Sequence, residues 1–210
     1  MQKGIFVVWE GIDGSGKGTV ISEIKKFIIK KGIPENQIIV TAEPTGGFYG
    51  KKVRELLNTH VNPDVNAQQF LDLYVADREE HLRKEIVPAL KEGKIILCDR
   101  FKYSTFVYQL LQGIELEKIN ELHRGMLIPD LVFILDLPVD VALQRIESDS
   151  KRSKKEVFEK KEFLEKVRQG FLSLKEIFPD ENIHIVDSSK NISEVTKEIG
   201  YILWAKIKDL

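Results

Sequence analysis

Cysteine is nearly absent from this sequence: Cys98 is the only one among 210 residues. One thiol excludes an internal disulfide and a cysteine-rich metal site, and it points to a reducing cytoplasm. Long hydrophobic runs are missing too. Stretches such as Ile5–Trp9 and Leu131–Leu135 hold about five residues, far below the ~18 that span a bilayer. The run after Lys3 ends at Glu10, too early for the core of a secretion signal. Neither charge dominates, with 32 Lys and Arg against 33 Asp and Glu and a net charge of -1. That balance argues against a nucleic-acid coat and a polybasic membrane binder, yet it leaves room for a local cationic pocket. Neither nucleic acid nor membrane is an expected partner. The four histidines, His60, His81, His123 and His184, are scattered without metal-ligand spacing, so no zinc site is expected. No repeat or low-complexity linker divides the chain, and residues 1–210 are expected to form a single domain.

What is present suits a packed core, with 42% hydrophobic and 31% charged residues. Five short β-branched runs, Ile5–Trp9, Gln37–Thr41, Lys94–Cys98, Leu131–Asp136 and Asn182–Val186, read as buried strands. Between them the pattern is helical over about 17–31, 48–58, 66–91, 103–125 and 139–178, the last with interruptions. A final helix covers about 191–208, with Asn191 or Ser193 as its cap. This alternation predicts an α/β fold, a five-stranded parallel sheet with helices on both faces. Ligands in such sheets gather at the carboxyl ends of the strands.

The polar motifs fall at those ends. Gly11-Ile12-Asp13-Gly14-Ser15-Gly16-Lys17 follows the first strand and opens the first helix. This is the Gly-x-x-x-x-Gly-Lys phosphate loop in its required setting. Its amides and the helix N-terminus point at phosphate oxygens, and Lys17 adds a mobile cation. Gly18 stands where a magnesium-binding Ser or Thr is usual, and Thr19 follows it. Magnesium is then expected to be held mainly by phosphates and water, with Thr19 facing an inner phosphate. After the third strand come Asp99 and Arg100. An Asp there can orient metal-bound water, and an adjacent Arg can grip phosphate with a bidentate fork. Arg54 follows the second strand, near Lys51 and Lys52. Cys98, inside the third strand, reads as inert packing.

The ordered set of motifs resembles thymidylate kinases. Asp99-Arg100-Phe101 through Tyr108-Gln109 is similar to their Asp-Arg-aromatic stretch, and Glu43-Pro44-Thr45-Gly46-Gly47 to their Glu-Pro-Gly-Gly segment. Tyr74-Val75-Ala76-Asp77-Arg78 resembles their aromatic-x-x-Asp-Arg helix, and Pro129–Asp136 with Ala142–Arg145 their fourth strand and next helix. The likeness runs from about Phe6 to Phe171. It implies the P-loop NTPase fold, ATP and Mg2+ as donor and cofactor, dTMP as acceptor, a role in making dTTP, and a homodimer. It implies that Tyr74 stacks on thymine and that Arg78, one helical turn on, donates to its O4. Ser104 and Thr105 take polar contacts to the base, and Tyr108 crowds the ribose 2′ position. Asp13 meets the 3′-hydroxyl, and Glu43 belongs to the acceptor site. Arg54 and Arg100 hold the acceptor phosphate. Gly11, Ile12, Gly14, Ser15, Gly16, Gly18 and Thr19 line the donor phosphates with Lys17. The resemblance departs at Ala42, where the family often has arginine, so Lys51 or Lys52 is the candidate substitute.

A cationic lid is expected at about 148–156, where Lys151, Arg152, Lys154 and Lys155 sit among small residues. Gly14 stands where one type of thymidylate kinase has arginine, so the resemblance implies the type whose catalytic cation is in the lid. Arg152 is the first candidate, and Arg145 the partner of the donor's adenine face or phosphates. Charge spread over the transferred group needs such a cation. Lys17, Asp99, Arg100 and Arg152 are therefore the candidate catalytic residues, with Asp99 reaching the metal through water. Two other readings stand beside this one. The first is a kinase acting on dUMP, UMP or thymidine, with Glu43 as base for a nucleoside. The second is a nucleotide-binding switch without turnover.

Overall fold

Gly, Pro, Asp and Asn stop each apolar run after five or six residues. The computed structural model describes residues 4–58, 66–148 and 161–208. Strands β1 (Ile5–Glu10), β2 (Ile38–Ala42), β3 (Ile95–Asp99), β4 (Leu131–Asp136) and β5 (Ile183–Asp187) form one sheet in the order β2-β3-β1-β4-β5. Every pair is parallel. From the central β1 the chain goes to β2 and β3 on one side and later crosses to β4 on the other. A crevice opens where such crossings diverge.

Alternation along the strands builds two cores. Ile5, Val7 and Trp9 face α1 (Lys17–Lys30) and α10 (Ile192–Ile207), packing on Ile24, Ile28, Ile199 and Leu203. Phe6 and Val8 face the other way, toward α3 (Ala67–His81), with its Leu71 and Val75. A helix that follows β3, spanning Lys102–Leu111, and one spanning Lys161–Leu172 complete that layer with Phe106, Val107, Leu164 and Phe171. With both faces covered, all of β1 is buried, and each large apolar side chain there contributes about 1.5–3 kcal/mol. In chain order the remaining helices are α2 (Phe48–Asn58), α4 (Val87–Lys91), α5 (Lys102–Leu111), α6 (Leu116–Leu122), α7 (Val139–Ser148), α8 (Lys161–Leu172) and α9 (Leu174–Ile177). No described helix is long and apolar enough to cross a membrane.

The differences from the sequence reading have local causes. β1, β2, β3 and β5 each end one residue later than expected, because the ladder continues through Glu10, Ala42, Asp99 and Asp187. The single helix expected over 103–125 is two. Gly113, at φ 85, takes a left-handed turn after α5, and Ile114 N–H bonds back to Gln109 O at 2.9 Å. Between α3 and α4 the helix continues through a π-helical segment, Leu82–Ile86. Most of the expected lid, Arg152 included, lies outside the described residues.

Asn191 is the cap of α10, and its side chain accepts from Glu194 N–H at 3.0 Å. Asn191→Ala should cost about 1 kcal/mol. Thermal unfolding should report that as a fall of roughly 2–4 °C.

Candidate functional site

The loop between β1 and α1 turns on three glycines of positive φ, Gly11, Gly14 and Gly16. Gly14 has φ 79, and a Cβ there would stand 2.6 Å from the carbonyl oxygen of Ala142 in α7. No side chain fits, which accounts physically for the absence of an arginine in this loop. Lys17 is buried and donates from Nζ to Gly11 O at 3.0 Å and to Ile12 O at 3.2 Å. Burial lowers its pKa, and the Arg100 charge pushes the same way. Ser15 Oγ and Asp99 Oδ1 are buried and have no hydrogen-bond partner among the described residues. Asp99 is also one of the charges that act on Lys17. An unpaired buried carboxylate oxygen near a phosphate loop fits water-mediated contact to a cation. No cluster of three or more metal-ligating side chains exists among the described residues. The donor set therefore suits a magnesium ion carried mostly by phosphates and water. At Gly18 nothing lies within 4 Å of where a Cβ would be, so its lack of a hydroxyl has no steric cause.

Beside the loop, a cavity of about 210 Å³ is bounded by Ser15, Thr19, Arg145, Ser188 and Lys190. Arg145, on α7, donates to Gly14 O and to Ser188 O, each at 3.3 Å. These bonds tie Arg145 to the phosphate loop and to the turn after β5. The turn after β5 that supplies Ser188 and Lys190 carries no motif, and sequence reasoning missed it.

A second cavity, also about 210 Å³, is bounded by Asp13 on the phosphate-loop side. Every expected acceptor residue lines it: Asp13, Glu43, Arg54, Tyr74, Arg78, Arg100, Ser104, Thr105 and Tyr108. Six segments converge to do this, the loops after β1, β2 and β3 and the helices α2, α3 and α5, and the chain separations reach nearly a hundred residues. Leu57, Asn58, Phe101 and Gln109 line it too and were not expected there.

The cavity floor is a buried polar network. Arg78 donates from Nε to Glu43 Oε2 at 2.8 Å, and its Nη2 forms an ion pair with the same oxygen at 2.8 Å. Its Nη1 donates to Thr105 Oγ1 at 3.1 Å and to His123 Nε2 at 2.7 Å. These hydrogen bonds use three of the five N–H groups a guanidinium carries. His123 Nδ1 in turn donates to Ile119 O at 2.7 Å, which leaves Nε2 as the acceptor. Glu43 Oε1 is taken by His81 Nδ1 at 3.1 Å, and His81 Nε2 meets Thr41 Oγ1 at 2.8 Å. Asp77, buried beside Arg78, accepts from Thr45 N–H at 2.7 Å and from its hydroxyl at 2.5 Å. That pins the Glu43–Gly47 turn against α3. Arg54 reaches back from α2 and donates to the carbonyl oxygens of Pro44 and Thr45.

Arg100 lines this second cavity and is bonded to Asp13 of the phosphate loop. It is the one described non-glycine residue with positive φ, at 71, a conformation that persists only where the surroundings hold it. Its N–H bonds Trp9 O at 2.9 Å, Nη1 bonds Ser104 Oγ at 2.9 Å and Nη2 bonds Asp13 Oδ1 at 2.7 Å. The Tyr108 ring lies 5.9 Å from its guanidinium carbon. Burial raises the Tyr108 hydroxyl pKa well above its usual value despite that cation. Lys51 and Lys52 are exposed, and Lys52 packs over Phe48 at 4.4 Å.

A family model described as thymidylate kinase matches residues 9–199. The chain belongs to the thymidylate kinase family. The probable thymidylate kinase of Thermococcus gammatolerans is 39% identical over 203 residues, covering 93% of this chain and 94% of its own length. The thymidylate kinases of Brachyspira hyodysenteriae and Desulfotalea psychrophila are each 38% identical to it. They cover 94% and 93% of this chain, and 92% of their own lengths.

This thymidylate kinase family member places several titratable groups near the site that its motifs do not mark. Glu10, His81 and His123 are buried and bonded to residues that line the second cavity. A charged residue ending the buried run Ile5–Trp9 was the one signal for Glu10. His81 and His123 carried none, because their partners are 38 and 45 residues away.

His123 is held down to a pKa of about 3 from 6.5, first by burial and then by the Arg78 charge. A depressed base favours the folded state above the unfolded pKa, and that contribution is lost as pH falls toward 3. Urea unfolding midpoints should therefore decline between pH 6.5 and 3. In His123→Asn, whose amide oxygen can still accept from Arg78, the decline should be shallower.

Proposed function

We propose that this protein transfers the γ-phosphoryl group of ATP to the 5′-phosphate of dTMP, giving ADP and dTDP for dTTP synthesis. One observation carries the reading: Asp13, a phosphate-loop residue, is bonded at 2.7 Å to Arg100, a wall of the acceptor cavity. Donor and acceptor sites thus share a wall. Lys17 and the loop amides would hold the donor phosphates, with Arg145 beside them. Arg100 and Arg54 would hold the acceptor phosphate. Arg78, with Tyr74, Ser104 and Thr105, would read the pyrimidine, and Tyr108 the deoxyribose. Asp99 would hold water bound to magnesium, an ion that neutralises charge on the donor's β- and γ-oxygens. The acceptor phosphate is already a nucleophile, so catalysis is positioning and charge stabilisation. Arg152 is proposed as the lid cation for the transferred group.

The rivals are weaker on physical grounds. A nucleoside kinase needs a carboxylate able to take the 5′-hydroxyl proton. Here both Glu43 oxygens are bound, by Arg78 and His81, and the side chain is buried. A switch without turnover would not need a second, arginine-walled cavity beside the loop. We further infer a single kinase domain over residues 1–210, with its lid at 148–156, that works in the cytoplasm as a homodimer.

A coupled ATP assay with dTMP, dUMP, UMP and thymidine tests this. ADP formation should be fastest with dTMP, and thymidine outpacing the monophosphates would overturn the assignment. Lys17→Met should lose about 10²-fold or more in turnover with its circular dichroism unchanged, and near-normal activity would refute the role given to Lys17.

A further inference from the structure

Glu10 is fully buried, yet the transfer step above makes no use of it. It ends β1, immediately before the phosphate loop, and its carboxylate faces the start of α5. Oε1 accepts from Phe101 N–H at 2.8 Å and from Ser104 N–H at 3.2 Å. Oε2 accepts from the Ser104 hydroxyl at 2.6 Å and lies 4.0 Å from Arg100 Nη1. No side chain of α5 or its flank caps this helix, so a carboxylate from another strand does so. Burial raises the pKa of Glu10, and the Arg100 charge and the Ser104 and Phe101 hydrogen bonds oppose that.

We propose that Glu10 is a positioning residue for the acceptor phosphate. It fixes the start of α5 and, through the Ser104 hydroxyl, sets the direction of the Arg100 guanidinium. The Ser104 hydroxyl donates to Glu10 and accepts from Arg100 Nη1, so its proton is committed and its lone pair points at the guanidinium. Asp13 holds Nη2 from the other side. Arg100 is thereby clamped between a residue that precedes the phosphate loop and one inside it. Glu10 thus ties the geometry of the acceptor clamp to that of the donor cradle.

The inference rests on the transfer reaction proposed above, and the test separates the two. Steady-state constants are measured for ATP and for whichever monophosphate the wild-type chain turns over fastest. If that is not dTMP, the substrate assignment fails while the role of Glu10 is still tested. Glu10→Gln keeps the size and one acceptor oxygen, which can stay on the Phe101 and Ser104 amides. Its NH2 then donates to the Ser104 oxygen and releases the hydroxyl proton. The acceptor KM should rise about 10-fold, with kcat lowered and the ATP KM within about twofold. Losing a negative charge beside Arg100 would by itself draw phosphate in more tightly, so a raised acceptor KM reports lost geometry. Ser104→Ala cuts the relay from its other end, and the double variant should be no worse than the worse single one. If Glu10→Gln does not fold, Glu10→Asp, which shortens the reach, should show the same split. A variant that lowers the melting temperature but leaves both KM values and kcat unchanged would overturn the proposal. Equal rises in both KM values, or additive single effects, would overturn it too.

Discussion

Cations buried together must be compensated where they sit, and the proposed phosphate site is built around that constraint. Lys17, Arg78 and Arg100 are all largely buried. Each would be costly there alone, because desolvation of an unpaired charge amounts to several kcal/mol. Arg78 leans on Glu43, and Arg100 on Asp13 with Glu10 behind it. Lys17 is satisfied by loop carbonyl oxygens and feels Asp99, Asp13 and Glu10. These anions are not spectators. They fix where each cation points, and a phosphate entering the site meets donors already aimed rather than donors it must recruit.

The sheet makes this arrangement possible. Glu10, Asp99 and Arg100 cluster because β1 and β3 are neighbours in register, with Trp9 opposite Asp99. The backbone of Arg100 is then bonded to Trp9 O, which holds the turn out of β3 in its left-handed conformation. Two rigid cores, one on each face, leave the strand ends no freedom to drift. A clamp whose geometry must hold to fractions of an ångström is thus anchored on strands instead of loops.

The acceptor floor differs in character from the phosphate loop. The loop depends on backbone, with a glycine where a Cβ would strike Ala142. The floor depends on side chains whose hydrogen bonds are nearly all spoken for. His123 illustrates the economy. Kept neutral, it accepts from Arg78 instead of repelling it. A largely satisfied polar network of this kind favours one arrangement, because leaving more of its groups unpaired is costly in a low-dielectric interior.

Much of this was legible in the sequence, and the reason is local. A glycine-rich loop between a strand and a helix, an Asp-Arg pair ending a strand, and an aromatic one helical turn before an arginine are short-range patterns. Their spacing alone orients their side chains. Glycine at position 113 was equally visible as a helix stop, but the apolar periodicity around it hid the break between α5 and α6. What stayed hidden was long-range: Glu10 under α5, His81 and His123 around Arg78, and Ser188 beside Arg145. Their meaning comes from partners dozens of residues away. The chain's own pattern determined which loop and which arginines are proposed to grip phosphate. Only the packing of the sheet and helices decided which buried groups hold those arginines in place, because a charge finds its counter-charge through space and not along the backbone.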